Sequence, residues 1–361
     1  MEEKIVRLKK WMEGGKAPPI TIELNVTNRC NQKCLSCWQR AGNIDYGEMH
    51  REKWIEIVRE AGRMGVKEIR IPGSGEPLIK KDLVLKIMEE AKKYNMSGIL
   101  ITNGTLFDSD AIRKIVEIGW DNVTFSIDGP DADTNDYLRG MTGAFDRATK
   151  WLEKFYRIKE QSGKDKPLLR LNVVLSNKNY NKLDKIMNLA NRLKCNSVSV
   201  QPMTVFSQFG ENLKLGKEEM AELPRYIRIA KALADKYGIH TNVGNFIDSE
   251  TIEKANDMDK VMQTETSGIE NRFLSLPCFE PWYNIIISPG GVVGPCSMFG
   301  GVNGIDVKDK SLGDVWYGKY FTNIRKRLLK KDLFDFCKNC CVVVFEETKR
   351  LRSELSKLNG V

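Results

Sequence analysis

Cysteine residues are the feature of this sequence that most directly indicates chemistry. The chain of 361 residues contains nine cysteines, and eight of them fall into two groups. The first group consists of Cys30, Cys34 and Cys37, and the second consists of Cys278, Cys296, Cys337, Cys340 and Cys341. Because the chain has only two histidines, His-rich zinc and non-haem iron sites are excluded. Metal binding by cysteine thiolates remains.

The first group has the spacing C-x3-C-x2-C in the segment TNRCNQKCLSCWQR. Three thiolates on one short loop can bind three irons of a [4Fe–4S] cluster and leave the fourth iron open. By spacing alone, the same motif is also compatible with an incomplete zinc site.

The second group has the pattern C-x12-G-x4-C, then a gap of 40 residues and C-x2-C. Four thiolates from a hairpin and a helix end can complete the coordination of another [4Fe–4S] cluster, and a four-cysteine zinc ribbon is the alternative. The first group already requires cluster assembly, which favours iron and sulfur. Cys341 is spare and could replace Cys340 as a ligand. Cys195 stands alone and is predicted to be a buried core thiol.

The elements that must position the first group alternate between strand and helix patterns. Short β-branched runs predict six strands, and amphipathic runs predict the helices between them. The strands are expected at 20–26, 66–71, 97–102, 121–127, 168–174 and 196–202, and the helices near 48–64, 81–94, 108–118, 143–161 and 180–194. Such units predict an α/β fold with parallel strands, a partial (β/α)6 TIM-like barrel. Periodicity is equally compatible with an open doubly wound sheet.

After Pro202 the alternation stops. A longer helix is predicted over 216–238, and WYNIII and VVG around SPGG predict a β-hairpin with glycine at positive φ. The segment SLGDVWYGKYFTNIRKRLLKK predicts one amphipathic helix. The expected division is an N-terminal helix (1–19), a barrel (20–210), a helical connector (211–270), a small hairpin-plus-helix cluster domain (271–345) and a helical tail (346–361).

The first cysteine loop in this strand-following context resembles that of the radical SAM superfamily, over about residues 20 to 202. One departure is Ser36, which stands where the family usually has an aromatic residue, although Trp38 follows closely. The resemblance implies that S-adenosylmethionine (SAM) chelates the open iron. It also implies that one electron cleaves SAM to a 5′-deoxyadenosyl radical, with the cofactor supplying the hard chemistry.

Further strand ends are similar to the same family. The segment PGSGEP resembles its GGEP element, which implies that the backbone at Gly73 and Gly75 lies close to SAM. In the family the acidic residue, here Glu76, meets the SAM ammonium group.

The fourth strand and the helix after it carry three more matches. Ser126 and Asp128 resemble family contacts to the SAM ribose and carboxylate, and Arg139 resembles an arginine that pairs with that carboxylate. Asn172 and Met203 fall where hydroxyl and adenine contacts are expected. Both are equally compatible with a polar strand residue and a core methionine.

The second cysteine group resembles the SPASM and twitch extensions of radical SAM enzymes. A complete SPASM domain has more cysteines and two auxiliary clusters, so the five cysteines here fit a single auxiliary cluster. The resemblance implies hydrogen abstraction from a substrate carbon. The auxiliary cluster would then accept an electron, relay electrons or stiffen a lid.

Three classes of function stay open. The first is oxidation or cross-linking of a peptide or protein side chain, which the cysteine-containing tail after residue 310 favours. The second is a dehydrogenase or related enzyme acting on a small molecule, such as a sugar or cyclitol alcohol. The short segment before Ile20, with no room for a leader-binding domain, favours this class. The third is a non-catalytic cluster or zinc protein with a binding role.

Charge and hydropathy limit the partners. The net charge of +9 comes mostly from lysines paired with glutamates along helices, and no basic stripe with interleaved aromatics indicates nucleic acid binding. The excess could help to dock an acidic electron donor, reduced flavodoxin or ferredoxin. No apolar run approaches the ~20 residues needed to cross a bilayer, and no secretory signal is present, so a cytoplasmic protein without membrane contact is expected.

Overall fold

The computed structural model describes residues 2–41, 47–205, 207–246, 260, 264–299, 304–337 and 340–358. Its strands form one sheet. They are β1 (Thr21–Leu24), β2 (Glu68–Ile71), β3 (Ser97–Thr102), β4 (Asn122–Ser126), β5 (Leu168–Leu175), β6 (Ser197–Pro202), β7 (His240–Thr241), β8 (Asn284–Ile287), β9 (Val292–Gly294) and β10 (Ile305–Asp306). The first six coincide with the predicted strands to within three residues at each end.

The helices follow the predicted pattern. They are α1 (Glu2–Met12), α2 (Arg51–Met64), α3 (Lys81–Lys93), α4 (Ser109–Ile118), α5 (Ala132–Arg139), α6 (Ala144–Ser162), α7 (Leu183–Arg192), α8 (Gln208–Glu211), α9 (Lys217–Tyr237), α10 (Leu312–Tyr317), α11 (Lys319–Leu329) and α12 (Val342–Leu358). The long helix expected at 216–238 is α9. The short helix α5 was not predicted.

The strand order distinguishes the two folds that periodicity allowed. The order is β10-β9-β8-β1-β2-β3-β4-β5-β6-β7, and β1 to β6 are parallel neighbours in chain order. A doubly wound sheet reverses its strand order at a switch point, and no reversal occurs between β1 and β6. The partial barrel is therefore confirmed.

The sheet is strongly curved, so that its inner face encloses a lumen. On β5, Leu169 and Leu171 are fully buried on the outer face, whereas the alternate residue Arg170 is half-buried on the inner face. The charges of Glu68 and Arg70 on β2 act on the pKa of Arg170, although β3 and β4 lie between these strands in the sheet. Such proximity requires the inner faces of β2 and β5 to turn toward each other.

The predicted C-terminal hairpin is confirmed, and it extends the barrel sheet. Strand β8 pairs in parallel with β1, from Thr21↔Asn284 to Leu24↔Ile287, and β9 pairs antiparallel with β8. Gly291 in the turn has φ +91°, as expected for a glycine-dependent turn. The cluster domain is therefore attached to the barrel through continuous backbone hydrogen bonds.

The prediction of a single helix after residue 310 is wrong. The chain forms α10 and α11 instead, and Gly318 between them has an extended backbone. A Cβ at Gly318 would lie 2.2 Å from the carbonyl oxygen of Asp314, so only glycine permits this tight corner. The amphipathic period continues across the corner, which is why the sequence pattern indicated one helix.

A second apolar cluster joins the chain termini to the cluster domain. Leu8 of α1 packs with Phe279 and Trp282 before β8 and with Leu351 and Leu355 of α12. The domain division stays a proposal, and residues 247–259 and 261–263 of the predicted connector (211–270) lie outside the described residues. Among the described helices, none is long and apolar enough to cross a membrane.

Gly98 on β3 provides a test of the barrel packing. A Cβ there would lie 2.1 Å from the ring of the fully buried Trp120, so we expect Gly98→Ala to destabilise the protein by about 1–3 kcal/mol. Gly244→Ala is the control, because its added Cβ meets nothing within 4 Å. Thermal unfolding should show a lower midpoint for Gly98→Ala alone, and equal midpoints would contradict the packing.

Candidate active site

The loop that carries the first cysteine group follows β1 and is clamped by the glycine-rich turn after β2. The Gly75 amide donates to the Thr27 carbonyl (2.9 Å), and the Glu76 amide donates to the Arg29 carbonyl (2.9 Å). A Cβ at Gly75 would lie 2.1 Å from the Arg29 carbonyl oxygen. Gly75 thus allows the cysteine loop itself to approach. The expected closeness of Gly73, which has φ +71°, and Gly75 to SAM stays a prediction.

One further strand end and one helix hold the same loop. Asn103 Nδ2 donates to Asn31 Oδ1 (2.8 Å), and Asn31 Nδ2 donates to Thr105 Oγ1 (2.8 Å), which ties the loop to the end of β3. The Leu35 amide donates to the Leu138 carbonyl in α5 (2.9 Å). The cysteine loop is therefore fixed between neighbouring strand ends and α5.

The three thiols of this loop lie near one another at the C-terminal rim of the barrel. The Cys37 amide donates to the Cys34 carbonyl at 3.2 Å, and Arg139 Nη1 donates to Cys34 Sγ at 3.7 Å. Burial raises the pKa of Cys30 to about 11, and the nearby Cys34 and Cys37 add to this effect. Metal binding at such thiols releases their protons.

Arg139 is the cation of the site. It is only 9% exposed, and its Nε lies 2.9 Å from Asp128 Oδ2. Its Nη2 has no hydrogen-bond partner among the described residues. Burial alone would lower the pKa of Arg139, but Asp128 and Cys34 outweigh it and raise the pKa. A charged, buried guanidinium with an unused donor fits the expected SAM carboxylate.

Glu76 is a structural carboxylate of the rim. It is 2% exposed and accepts hydrogen bonds from the Leu78 amide (3.1 Å), Thr102 Oγ1 (2.6 Å) and the Asn103 amide (2.7 Å). These bonds join the turn after β2 to the end of β3, and burial raises the pKa of Glu76. A carboxylate offers about four acceptor positions, so about one is left for a ligand. Its contact with the SAM ammonium stays a prediction.

The remaining predicted SAM contacts lie along the same rim. Ser126 at the end of β4 is in register with Asn172 on β5, and both are half-buried on the inner face. Met203 directly follows β6 and is also half-buried. The structure brings these residues to the rim, and their contacts with SAM stay predictions.

The second group of thiols comes together beside β8. Cys296 and Cys340 raise the pKa of Cys278, and Cys337 raises the pKa of both Cys296 and Cys340. Burial raises the pKa of Cys340 to about 12. Cys341 acts only on Cys340. The geometry therefore favours Cys340 over Cys341 as the fourth ligand.

A zinc ion and a [4Fe–4S] cluster require different arrangements of these thiols. In the described part of the chain, no three cysteine, histidine or carboxylate side chains are gathered as ligands of one metal ion. A zinc ribbon needs four sulfurs about 2.3 Å from one zinc, whereas each thiolate of a [4Fe–4S] cluster binds its own iron. Cys195 is 6% exposed in the barrel core, which confirms its prediction as a core thiol.

The sequence analysis did not predict two charged features of the structure. Glu280 is buried beside the second thiol group, where it accepts hydrogen bonds from the Tyr283 hydroxyl and from Asn284 Nδ2 (2.7 Å). No sequence signal beyond its closeness to Cys278 indicated it. The lumen also contains Glu23 and Arg70, which the alternation of apolar and polar residues in ITIELNV and EIRI could have revealed.

Family models match both halves of this architecture. The radical SAM superfamily model matches residues 24–190, and the SPASM iron–sulfur cluster-binding domain matches residues 278–341. The chain is a radical SAM enzyme with a C-terminal SPASM domain. It therefore takes a [4Fe–4S] cluster, SAM and an auxiliary iron–sulfur cluster. That the first thiol loop and the second thiol group hold these clusters stays a prediction.

Individual relatives of this radical SAM protein differ in how much they align. The Fe-coproporphyrin III synthase of Methanosarcina barkeri is 37% identical over 129 residues, which is 36% of this chain and 32% of that protein. The chain thus matches about a third of that relative's length. The PqqA peptide cyclase of Granulibacter bethesdensis is 24% identical over 313 residues, covering 83% of this chain and 74% of that one.

Solved structures share the fold. Streptococcus suis SuiB bound to its precursor peptide SuiA superposes with a TM-score of 0.67 at 20% identity, covering 90% of this chain and 70% of that chain. This likeness supports the fold of both the barrel and the SPASM domain.

Gly75 provides a test of the clamp on the first thiol loop. In Gly75→Ala the new Cβ must displace the Arg29 carbonyl, so we expect reconstituted protein to lose the SAM-site cluster and keep about four irons instead of about eight. Iron and sulfide analysis measures this, and Ser74→Ala is the neighbouring control. Full iron content in Gly75→Ala would show that the loop does not depend on the close approach.

Cys340 and Cys341 provide a paired test of the auxiliary ligands. Cys340→Ala should lower the iron content to about four, because Cys340 lies among the other thiols, whereas Cys341→Ala should keep about eight. The reverse result would identify Cys341 as the ligand.

Proposed function

We propose that this radical SAM enzyme is a maturase that oxidises or cross-links a peptide or protein side chain with the help of its auxiliary cluster. The observation that carries the proposal is the joining of both thiol sites in one sheet, through β1 and β8. The peptide reading draws support from alignment over both domains with a protein named PqqA peptide cyclase. We further propose reduced flavodoxin or ferredoxin as the electron donor and a cytoplasmic location.

The residues of the rim have defined tasks in this proposal. Cys30, Cys34 and Cys37 hold the SAM-site cluster, which when bound supplies the electron that cleaves SAM to a hydrogen-abstracting radical. Arg139 keeps its charge through Asp128 and offers Nη2 to the SAM carboxylate. The hydrogen bonds of the clamp keep the loop rigid, so that little reorganisation is needed when SAM binds.

A second candidate is a small-molecule radical SAM enzyme, the class that includes sugar and cyclitol dehydrogenases. Its support is the 37% identity to a protein named for Fe-coproporphyrin III, although this covers only 36% of the present chain. Peptide modification is preferred because the alignment that supports it covers 83% of the chain and so reaches the SPASM domain.

The two thiol groups should separate SAM cleavage from product formation. Each of Cys30→Ala, Cys34→Ala and Cys37→Ala should abolish 5′-deoxyadenosine formation, because an incomplete loop cannot hold the open cluster. Cys278→Ala should keep some uncoupled 5′-deoxyadenosine formation and lose product. Chromatography of 5′-deoxyadenosine and mass spectrometry of the substrate measure the two. Normal turnover by Cys278→Ala would reduce the auxiliary cluster to a structural role.

Deuterium transfer tests the substrate class. Enzyme, SAM and reductant are incubated with deuterated peptides encoded near the gene, and with deuterated tetrapyrroles, sugars and cyclitols. We expect deuterium in 5′-deoxyadenosine only with a peptide. Transfer from a small-molecule carbon, with none from any encoded peptide, would overturn the peptide proposal.

A further inference from the structure

The barrel lumen contains a charged group of residues that the proposed cluster and SAM contacts do not use. Arg70 Nε lies 2.6 Å from Glu68 Oε1, and Arg70 Nη1 lies 3.7 Å from Glu23 Oε1. Arg70 is thus shared between two carboxylates. Burial raises the pKa of Glu23 to about 7, even though Arg70 opposes this shift. Below about pH 7, Glu23 is mostly protonated, so the single positive charge of Arg70 balances the remaining carboxylate of Glu68.

Arg170 faces this charged group from β5, and its side-chain contacts differ from those of Arg70. In the part of the chain that the structure describes, its side chain makes no hydrogen bond and no ion pair. Burial lowers its pKa; Glu68 opposes this and Arg70 adds to it. A half-buried guanidinium has five donors in a planar fork, and those of Arg170 are accessible to a ligand in the lumen. The site is therefore prepared for an anion.

The height of Arg170 in the barrel places it beneath the expected SAM position. It precedes Asn172 by two residues on the same face of β5, a rise of about 6.6 Å. Asn172 is in register with Ser126 at the rim, and Arg170 is in register with Thr124 one layer below. A molecule that binds in the lumen under SAM would therefore contact Arg170. Among the described residues of the lumen, Arg170 is the cation that lacks an ion-pair partner.

We infer that Arg170 binds a carboxylate of the substrate and so orients the carbon that loses hydrogen. This rests on the proposed function, in which the substrate lies in the lumen. A single carboxylate suits the site better than a phosphate dianion, because Glu68 and Glu23 lie close by and only one guanidinium is unpaired. The fork of Arg170 can make two parallel hydrogen bonds to a carboxylate, which a lysine cannot reproduce.

The test compares the binding of carboxylate probes with that of matched neutral analogues. Reconstituted holoenzyme with SAM is titrated with acetyl-Ala-Glu-Ala-amide and its Gln counterpart, and with coproporphyrin III and its tetramethyl ester. We expect one carboxylate probe to bind at least about tenfold more tightly than its neutral analogue. This preference should disappear in Arg170→Gln. Arg170→Lys should retain part of it. Arg113→Gln, at an arginine that is 59% exposed on α4, is the control and should retain all of it.

The outcomes separate this inference from the proposed function. A preference for the Glu peptide that depends on Arg170 supports both. A preference limited to coproporphyrin supports carboxylate binding by Arg170 and contradicts the peptide proposal. The inference is overturned if wild-type protein shows no carboxylate preference, or if the preference persists in an Arg170→Gln protein whose iron content equals that of the wild type.

Discussion

The pairing of β1 on both of its edges is the constraint on which the rest of the structure depends. One edge binds β2, whose following turn clamps the first cysteine loop, and the other edge binds β8, which leads from Cys278 into the hairpin. Strands in a sheet lie only about 4.8 Å apart, so this pairing fixes the two thiol sites in one rigid frame. A barrel that ended at β1 would leave the second site on a separate body.

The rim depends on buried polar groups that satisfy one another. Glu76 accepts three hydrogen bonds, and Asp128 accepts one from the Val174 amide (2.8 Å) while pairing with Arg139. Breaking one member of such a network costs more than a surface contact, because its partner is left buried without compensation. The open donor Nη2 of Arg139 contrasts with the satisfied carboxylates of Glu76 and Asp128.

The barrel interior contains two chemical environments at different heights. At the rim, thiols and Arg139 surround the expected cofactor site, whereas one layer lower the inner face has charged side chains on β1, β2 and β5. A radical acts on whatever C–H bond is held nearest to it, so the residues that orient the substrate determine the outcome of the reaction. The proposed substrate contact of Arg170 and the SAM contacts therefore act together through the fixed spacing of β5.

The sequence by itself determined the alternation of strands and helices, the spacing of both cysteine groups and the family resemblance. These are local properties: periodicity reports which face of an element is buried, and motifs lie within short loops. The division of the helix at Gly318 and the attachment of β8 to β1 were decided only in three dimensions. The same is true of the clamp at Gly75 and of Arg170, whose side chain has no ion-pair partner among the described residues. Each depends on contacts between segments far apart in the chain, and a residue's type gives no information about which distant partner it will meet.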